Sequence, residues 1–422
     1  MFGGRFSSSI GVVGIDFGSH CIKMLQVREH SGKLQVVGAS RVETPLAPVT
    51  ATPTTRKIDA AAIHAIAPMP STNQTGDGDN AAGEQLANQI RAAFAAGGFT
   101  GRRCVVSLAR EDVCVQSIRV PKMPDDELRQ TAAWEASQRF GFDRGAMEVD
   151  FIRTGAALQS GENREEIILI AASHAAIHAR LEPLLAAGLR PIAIDTSFCA
   201  LARAFSRKAR RESDQQFVRA VVEIGWSGST VLILRGDQVA FCKPIAIGGR
   251  LFNKAVADHL QMEESAAGDL RAARIRAVLN GDNADSAGGS ITDPATDRAV
   301  YEAVRPLMGA LIKEVMLCLR YYGVTFRGHP PEQIILTGGD GLEPRLSELM
   351  AHTCKVPVAF DDATNTLGGL IGQIQTCLNR TPGPSATWAV AMGLSLRGLG
   401  GKRAAAPNAA ASGQTAVRRG AA

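Results

Sequence analysis

Val12-Val13-Gly14-Ile15-Asp16-Phe17-Gly18-Ser19-His20-Cys21-Ile22-Lys23-Met24-Leu25-Gln26-Val27 is the stretch on which the reading of this chain turns. Its apolar opening predicts a buried strand, Gly18-Ser19 a tight bend, and the run from Cys21 a second strand returning antiparallel to the first. Asp16 closes the first strand, and Lys23 points back from the second. Backbone N–H groups at such a bend can converge on one anion, as phosphate-binding nests do. Gly18 lets a phosphate come close because it carries no Cβ. Ser19 and His20 fill the bend and join it as candidate phosphate-binding residues. Lys23 adds positive charge, and Asp16 is a candidate Mg²⁺ holder through water, since Mg²⁺ usually keeps several waters. An ordinary hairpin ending in an acid has the same local pattern.

The pattern recurs, which an isolated hairpin does not explain. Val221-Val222-Glu223-Ile224-Gly225-Trp226-Ser227-Gly228-Ser229-Thr230-Val231-Leu232-Ile233-Leu234 is again strand, acid, x, Gly, small residues and apolar strand. Each copy then bends at polar residues, His30 to Lys33 and Arg235 to Asp237, and enters a third strand, Leu34 to Ala39 and Gln238 to Ile247. Two copies of one supersecondary unit predict two related halves facing each other. Phosphates between the two bends would meet Asp16 and Gly18 from one side and Glu223 and Gly225 from the other. A third stretch, Ile334-Ile335-Leu336-Thr337-Gly338-Gly339-Asp340-Gly341, runs a buried strand into bare backbone at a sheet's carboxyl edge, where α/β folds take ligands.

Length and composition bound the alternatives. At about 150 residues per domain, 422 residues predict two to three units. A net charge of +5 is small for that length, and aromatics make up only 5%, which argues against nucleic acid as a partner and against a base-stacking surface. Eight cysteines are scattered without a C-x-x-C, as reduced core thiols of a cytosolic protein would be. There is no P-loop and no H-E-x-x-H. His174 and His178 have helical spacing but no third ligand in view. No signal peptide is expected, and no apolar run approaches the ~20 residues of a membrane span.

The expected organisation is a mobile leader over 1–10 and a first lobe over 11–102, with a flexible loop at about 45–83. An inserted α+β subdomain over 103–188 follows, then a return of the first lobe and a linker over 189–211. The second lobe is expected over 212–399, with a flexible loop at about 280–298, and a disordered tail over 400–422. The basic run to Arg211 reads as a solvated connection rather than a binding patch.

In these residues the chain resembles the actin-like nucleotide-binding superfamily. Asp16-Phe17-Gly18-Ser19 with Lys23 looks like the first phosphate motif, Glu223-Ile224-Gly225 like the second, and Ile335 to Gly339 like the adenosine motif. Ala193-Ile194-Asp195 is similar to the connecting segment, whose polar residue helps place the attacking water, and Gly248-Gly249 to a Gly-Gly helix start. Within the superfamily the chain resembles the PilM family of type IV pilus assembly proteins. Gly14 to Ser19, Val120-Pro-Lys-Met-Pro-Asp-Asp-Glu-Leu128, Trp134-Glu135 and Thr387 to Leu394 carry that likeness.

The resemblance implies an α/β, two-lobed actin-like fold made of duplicated ribonuclease H-like halves, with the insert in the first lobe. It implies ATP and Mg²⁺ as ligands, with Asp16 and Glu223 as metal holders and Asp195 and Glu223 as catalytic candidates. Gly248, Gly249, Gly338, Gly339 and Asp340 would complete the nucleotide site. The partner implied is the cytoplasmic tail of a PilN-like inner-membrane protein, with the pilus motor ATPases contacted indirectly. The location implied is cytoplasmic, peripheral to the membrane through that partner. Glu223 stands where the family pattern has Asp, Trp226 is bulky beside a phosphate position, and Arg250 departs from the small or acidic residue of many relatives. Four readings stay open at this point: an ATP-clamped assembly protein, a slow ATPase, a scaffold without nucleotide, and a small-molecule kinase.

Overall fold

The computed structural model describes residues 9–31, 33–43, 77–156, 164–206, 217–279, 293–326, 330–360, 364–378 and 385–399. The first hairpin unit becomes β2 (Val13–Phe17), β3 (Cys21–His30) and β4 (Lys33–Glu43), and short β1 (Ser9–Ile10) pairs with the far end of β3. Two later strands, β5 (Arg103–Ser107) and β9 (Arg190–Asp195), add parallel to β2, giving the order β4-β3-β2-β5-β9. The second unit becomes β10 (Val218–Ile224), β11 (Ser229–Arg235) and β12 (Gln238–Ile245). With β13 (Gln333–Thr337) and β14 (Val358–Phe360), its order is β12-β11-β10-β13-β14. Both sheets run antiparallel, antiparallel, parallel, parallel. The repeat in the sequence is therefore a duplicated topology. β2 is buried at every position, as expected of a central strand covered on both faces.

On the outer side of the first sheet, α1 (Asp77–Ala96) and α3 (His174–Ala186) bring Ile90 and Leu184 onto Val13, Ile15 and Phe17. On the second sheet, α5 (Gly249–Leu260) and the long α7 (Pro294–Phe326) supply Phe252, Val256, Met308 and Leu311. A shared core joins the halves. In it α4 (Ser197–Ser206) and α10 (Ala389–Leu396) contribute Phe198, Leu201 and Met392 between Leu25 and Val105 of one sheet and Val221 and Leu232 of the other.

Several expected boundaries move. The inserted sheet is β6 (Cys114–Pro121), β8 (Arg164–Ser173) and β7 (Met147–Ala156) in the order β6-β8-β7, covered by α2 (Asp125–Phe140). The insert therefore spans Cys114 to Ser173 rather than 103–188. Cys104 to Ser107 pair in register with Val13 to Asp16, and α3 packs on the first half. The second half also ends earlier than 399, because α9 (Thr364–Leu378) and α10 cross back. Gln373 Oε1 accepts from Val36 N at 2.9 Å, and Ser395 Oγ accepts from Val27 N at 3.1 Å. The approach is close enough that a Cβ on Gly14 would collide with Ala391 O, and one on Gly393 with Ala200 O.

Finally, α1 begins at Asp77, inside the expected loop, and α7 begins at Pro294, inside the other. Asp293 Oδ1 accepts from Ala295 N at 2.9 Å and Thr296 N at 3.0 Å, and Pro294 takes the first helical position, a start that needs no further signal. The expected leader up to residue 8, loop residues 45–76 and 280–292, the linker at 207–211 and the tail lie outside the described residues.

Candidate functional site

Sheet register builds the site. Asp16 stands near the carboxyl end of β2, directly between Lys23 of β3 and Ser107 of β5. Lys23 Nζ lies 3.2 Å from Asp16 Oδ2, and Ser107 Oγ donates to Oδ1 at 3.2 Å. Burial by itself would lower the Lys23 pKa, but the charge of Asp16 reverses the direction and raises it. Glu223 occupies the matching place in β10, between Thr230 of β11 and Thr337 of β13. Burial first, and the charge of Asp16 second, push its pKa up to about 7 against the pull of Arg110, Lys23 and a hydrogen bond from Thr230. Two acids 207 positions apart in sequence are thus near enough for the charge of one to bear on the other.

The hairpin tips meet directly. Ser19 Oγ donates to Glu111 Oε1 at 2.8 Å and lies 2.9 Å from Ser227 Oγ. The His20 ring leans on Trp226, centroids 4.8 Å apart. Burial works to raise the Glu111 pKa, yet hydrogen bonds from Ser227 and Ser19 leave it below the ordinary value, so this carboxylate is held ionised between the tips. Gly18 N donates to Cys21 O at 3.1 Å, and a Cβ there would sit 2.8 Å from that oxygen.

Gly225, Gly248 and Gly249 lock the second bend to the start of α5. Gly225 N donates to Gly228 O at 3.0 Å, Gly249 N to Gly225 O at 2.9 Å, and Arg250 N to Trp226 O at 2.9 Å. Those α5 N–H groups are taken by the hairpin's own carbonyls. Gly338 has φ +89°, in the region that favours glycine, and a Cβ would collide with Ile224 O. A Cβ on Gly339 would make only ordinary van der Waals contact, with Thr387 Cγ2 at 3.8 Å. Asp340 is tied back instead. Its N donates to Ile224 O at 3.1 Å, and its Oδ1 accepts from Arg271 Nη2 at 2.9 Å. Burial raises its pKa, with Arg271 pulling the other way. Arg271 comes from α6 (Glu264–Leu279), a helix the sequence reading did not anticipate, and also reaches Glu343, Asn253 and Gly249 O.

Asp195 is placed differently. Register sets it two strands from Asp16, through Ser107. Its Oδ1 accepts from Thr196 N at 2.9 Å, and its Oδ2 pairs with Arg203 at 2.9 Å and Arg397 at 3.1 Å. The structure brings together Asp16, Gly18, Ser19, His20, Lys23, Glu223, Gly225, Gly248, Gly249, Gly338 and Asp340, but engages Asp195 in ion pairs of its own. Ser107, Arg110, Glu111, Ser227 and Arg271 join the site unannounced. Arg110 to Asp112 form one turn of 3₁₀ helix between β5 and β6. Only the fold shows that a charged turn there faces both hairpins. Among the described residues no three or more His, Cys, Asp or Glu side chains form a metal cluster, and His174 pairs with Glu148 at 3.2 Å.

The two sheets of one topology, with their hairpin tips meeting, define a protein of actin-like fold. The solved structure of a PilM-PilN type IV pilus biogenesis complex is 21% identical, covering 93% of this chain and 99% of that one with a TM-score of 0.67. The ethanolamine utilization protein EutJ from Carboxydothermus hydrogenoformans is 12% identical over 93% of this chain and 91% of that one, at 0.48. Component A of the Acidaminococcus fermentans (R)-2-hydroxyglutaryl-CoA dehydratase is 13% identical over 92% and 98%, at 0.37. No curated protein matches. The family described as type IV pilus assembly protein PilM matches residues 49–277, and the chain belongs to that family. Among the described residues no helix is long and apolar enough to cross a membrane.

Proposed function

We propose that this type IV pilus assembly protein binds Mg²⁺-ATP between its two hairpins and, so loaded, grips the cytoplasmic tail of a PilN-like membrane protein. It works on the cytoplasmic side of the inner membrane and is held there by that partner. The observation that carries the reading is the matched register of Asp16 in β2 and Glu223 in β10, with the two hairpin tips in contact through Ser19 and Ser227. The donor set fits a magnesium nucleotide. Asp16 and Glu223 would hold Mg²⁺ from opposite halves, and Lys23 and Arg110 would supply cations to the phosphates. Bound Mg²⁺ supplies charge neutralisation of the phosphates. For entry, the Ser19–Ser227 and His20–Trp226 contacts must part. A ligand that prefers one spacing of the halves shifts the population toward it.

Binding without rapid turnover is the favoured form of this reading. Asp195 is engaged by two arginines, and Glu223 holds a proton for much of the time near neutral pH. The closed tips favour a second reading, a scaffold of the same complex that works without nucleotide. Calorimetric titration with Mg²⁺-ATP, followed by titration with a synthetic N-terminal peptide of a PilN-like protein, separates the two. Peptide affinity that rises with nucleotide is expected. Peptide binding with no nucleotide uptake supports the scaffold, and no peptide binding in either state removes the partner assignment.

A further inference from the structure

Arg110 is the least compensated charge at the site. It leads β5 into β6, and its side chain crosses from the first half to the second. There Nη1 donates to Ser229 O at 3.2 Å, and Nε would lie 2.6 Å from a Cβ on Gly228. A guanidinium has five N–H donors, and among the described residues this one makes that single hydrogen bond and no ion pair. Burial lowers its pKa, and the nearby charges of Glu223 and Glu111 restore only part of that loss. A planar, buried, under-bonded fork is suited to a phosphate's oxygens.

Its place in the sheets gives direction. Gly338 and Gly339 follow β13, on one side of β10, whereas Arg110 packs on the start of β11, on the other side. A nucleotide with its base at Gly339 and its phosphates crossing between Asp16 and Glu223 runs out toward Arg110.

We infer that Arg110 binds the terminal phosphate and makes the slot discriminate a nucleoside triphosphate from a diphosphate. This rests on the nucleotide reading given above. The residue following it, Glu111, holds the two hairpin tips, and Asp112 pairs with Arg180 of α3 at 2.7 Å. The same turn continues into β6, so the group that meets the terminal phosphate is joined directly to the inserted subdomain.

The test is titration of wild-type protein, Arg110→Gln and Arg110→Lys with Mg²⁺-ATP and Mg²⁺-ADP, with thermal melting of each in parallel. Arg110→Gln should weaken ATP at least about tenfold, the scale of a charge-assisted hydrogen bond, and leave ADP within about twofold by the same argument. Arg110→Lys should fall between. Retained ADP binding shows that the variants are folded. Equal losses for ATP and ADP, or no loss for either, overturn the inference while leaving the nucleotide reading standing. Wild-type protein that binds neither nucleotide ends that reading and the inference with it.

Discussion

Asp16 and Glu223 occupy the same position in two copies of one topology, yet their surroundings treat them oppositely. Asp16 has a lysine on the neighbouring antiparallel strand and a serine on the parallel one. Glu223 has threonines on both sides. The first acid carries its counter-ion within its own hairpin. The second has none there, so burial and its twin's charge drive it toward the neutral form. Duplication has preserved the backbone site and let the electrostatics diverge: one acid has a lysine beside it, and the other, buried without one, has its pKa pushed up to about 7. The proposed magnesium ion would supply a positive charge beside it.

The largest effect should come from breaking the self-sufficient side. Asp16→Ala strands a buried Lys23, at a cost of about 3–5 kcal/mol, read as a fall in the chemical-denaturation midpoint. Adding Lys23→Met should recover most of that loss. A double variant no better than the single would mean that the pair is not what Asp16 stabilises.

Glu223→Gln should do the reverse. The folded protein holds the Glu223 proton up to about pH 7, whereas a free carboxyl releases it near 4.5. Stability tied to this group is full below pH 4.5, declines as pH rises to 7 and is flat above. The glutamine variant removes that decline, and at pH 8 it should be on the order of 3 kcal/mol more stable than wild type. Denaturation curves across pH 4 to 8 that keep the wild-type slope in the variant would contradict this.

A smaller change concerns the closed tips. The His20–Trp226 contact is worth about 0.5–1.5 kcal/mol on the scale of ring pairs. If it holds the slot shut, Trp226→Ala should tighten Mg²⁺-ATP binding several-fold, and weakened binding would instead make Trp226 part of the nucleotide's own surroundings.

The comparison also explains what the sequence revealed. Both hairpins were legible because an acid and a glycine interrupt apolar strands at the same point, a local pattern that survives without knowledge of the fold. The strand Arg103–Ser107 looks like the insert's strands, and only its register with Val13 to Asp16 assigns it to the first half. The last described helix, Ala389–Leu396, is buried at every position, so it has no apolar stripe to read. Arg110 and Glu111 form an ordinary charged turn in sequence. Their significance comes from the insertion that carries them to the opposite half. Arg271 and Arg274 face inward from their helix as buried ion pairs with Glu343, the inverse of the usual amphipathic signal.

Calorimetry of Mg²⁺-ATP binding at pH 6 and pH 8, in wild type and Glu223→Gln, addresses the central claim directly. If Asp16 and Glu223 hold one metal between them, Glu223 must lose its proton on binding. Wild-type affinity should then gain about tenfold over that range beyond any gain in the variant, as expected for a group titrating near 7. An identical pH dependence in the two proteins would show that Glu223 and the nucleotide do not share a site.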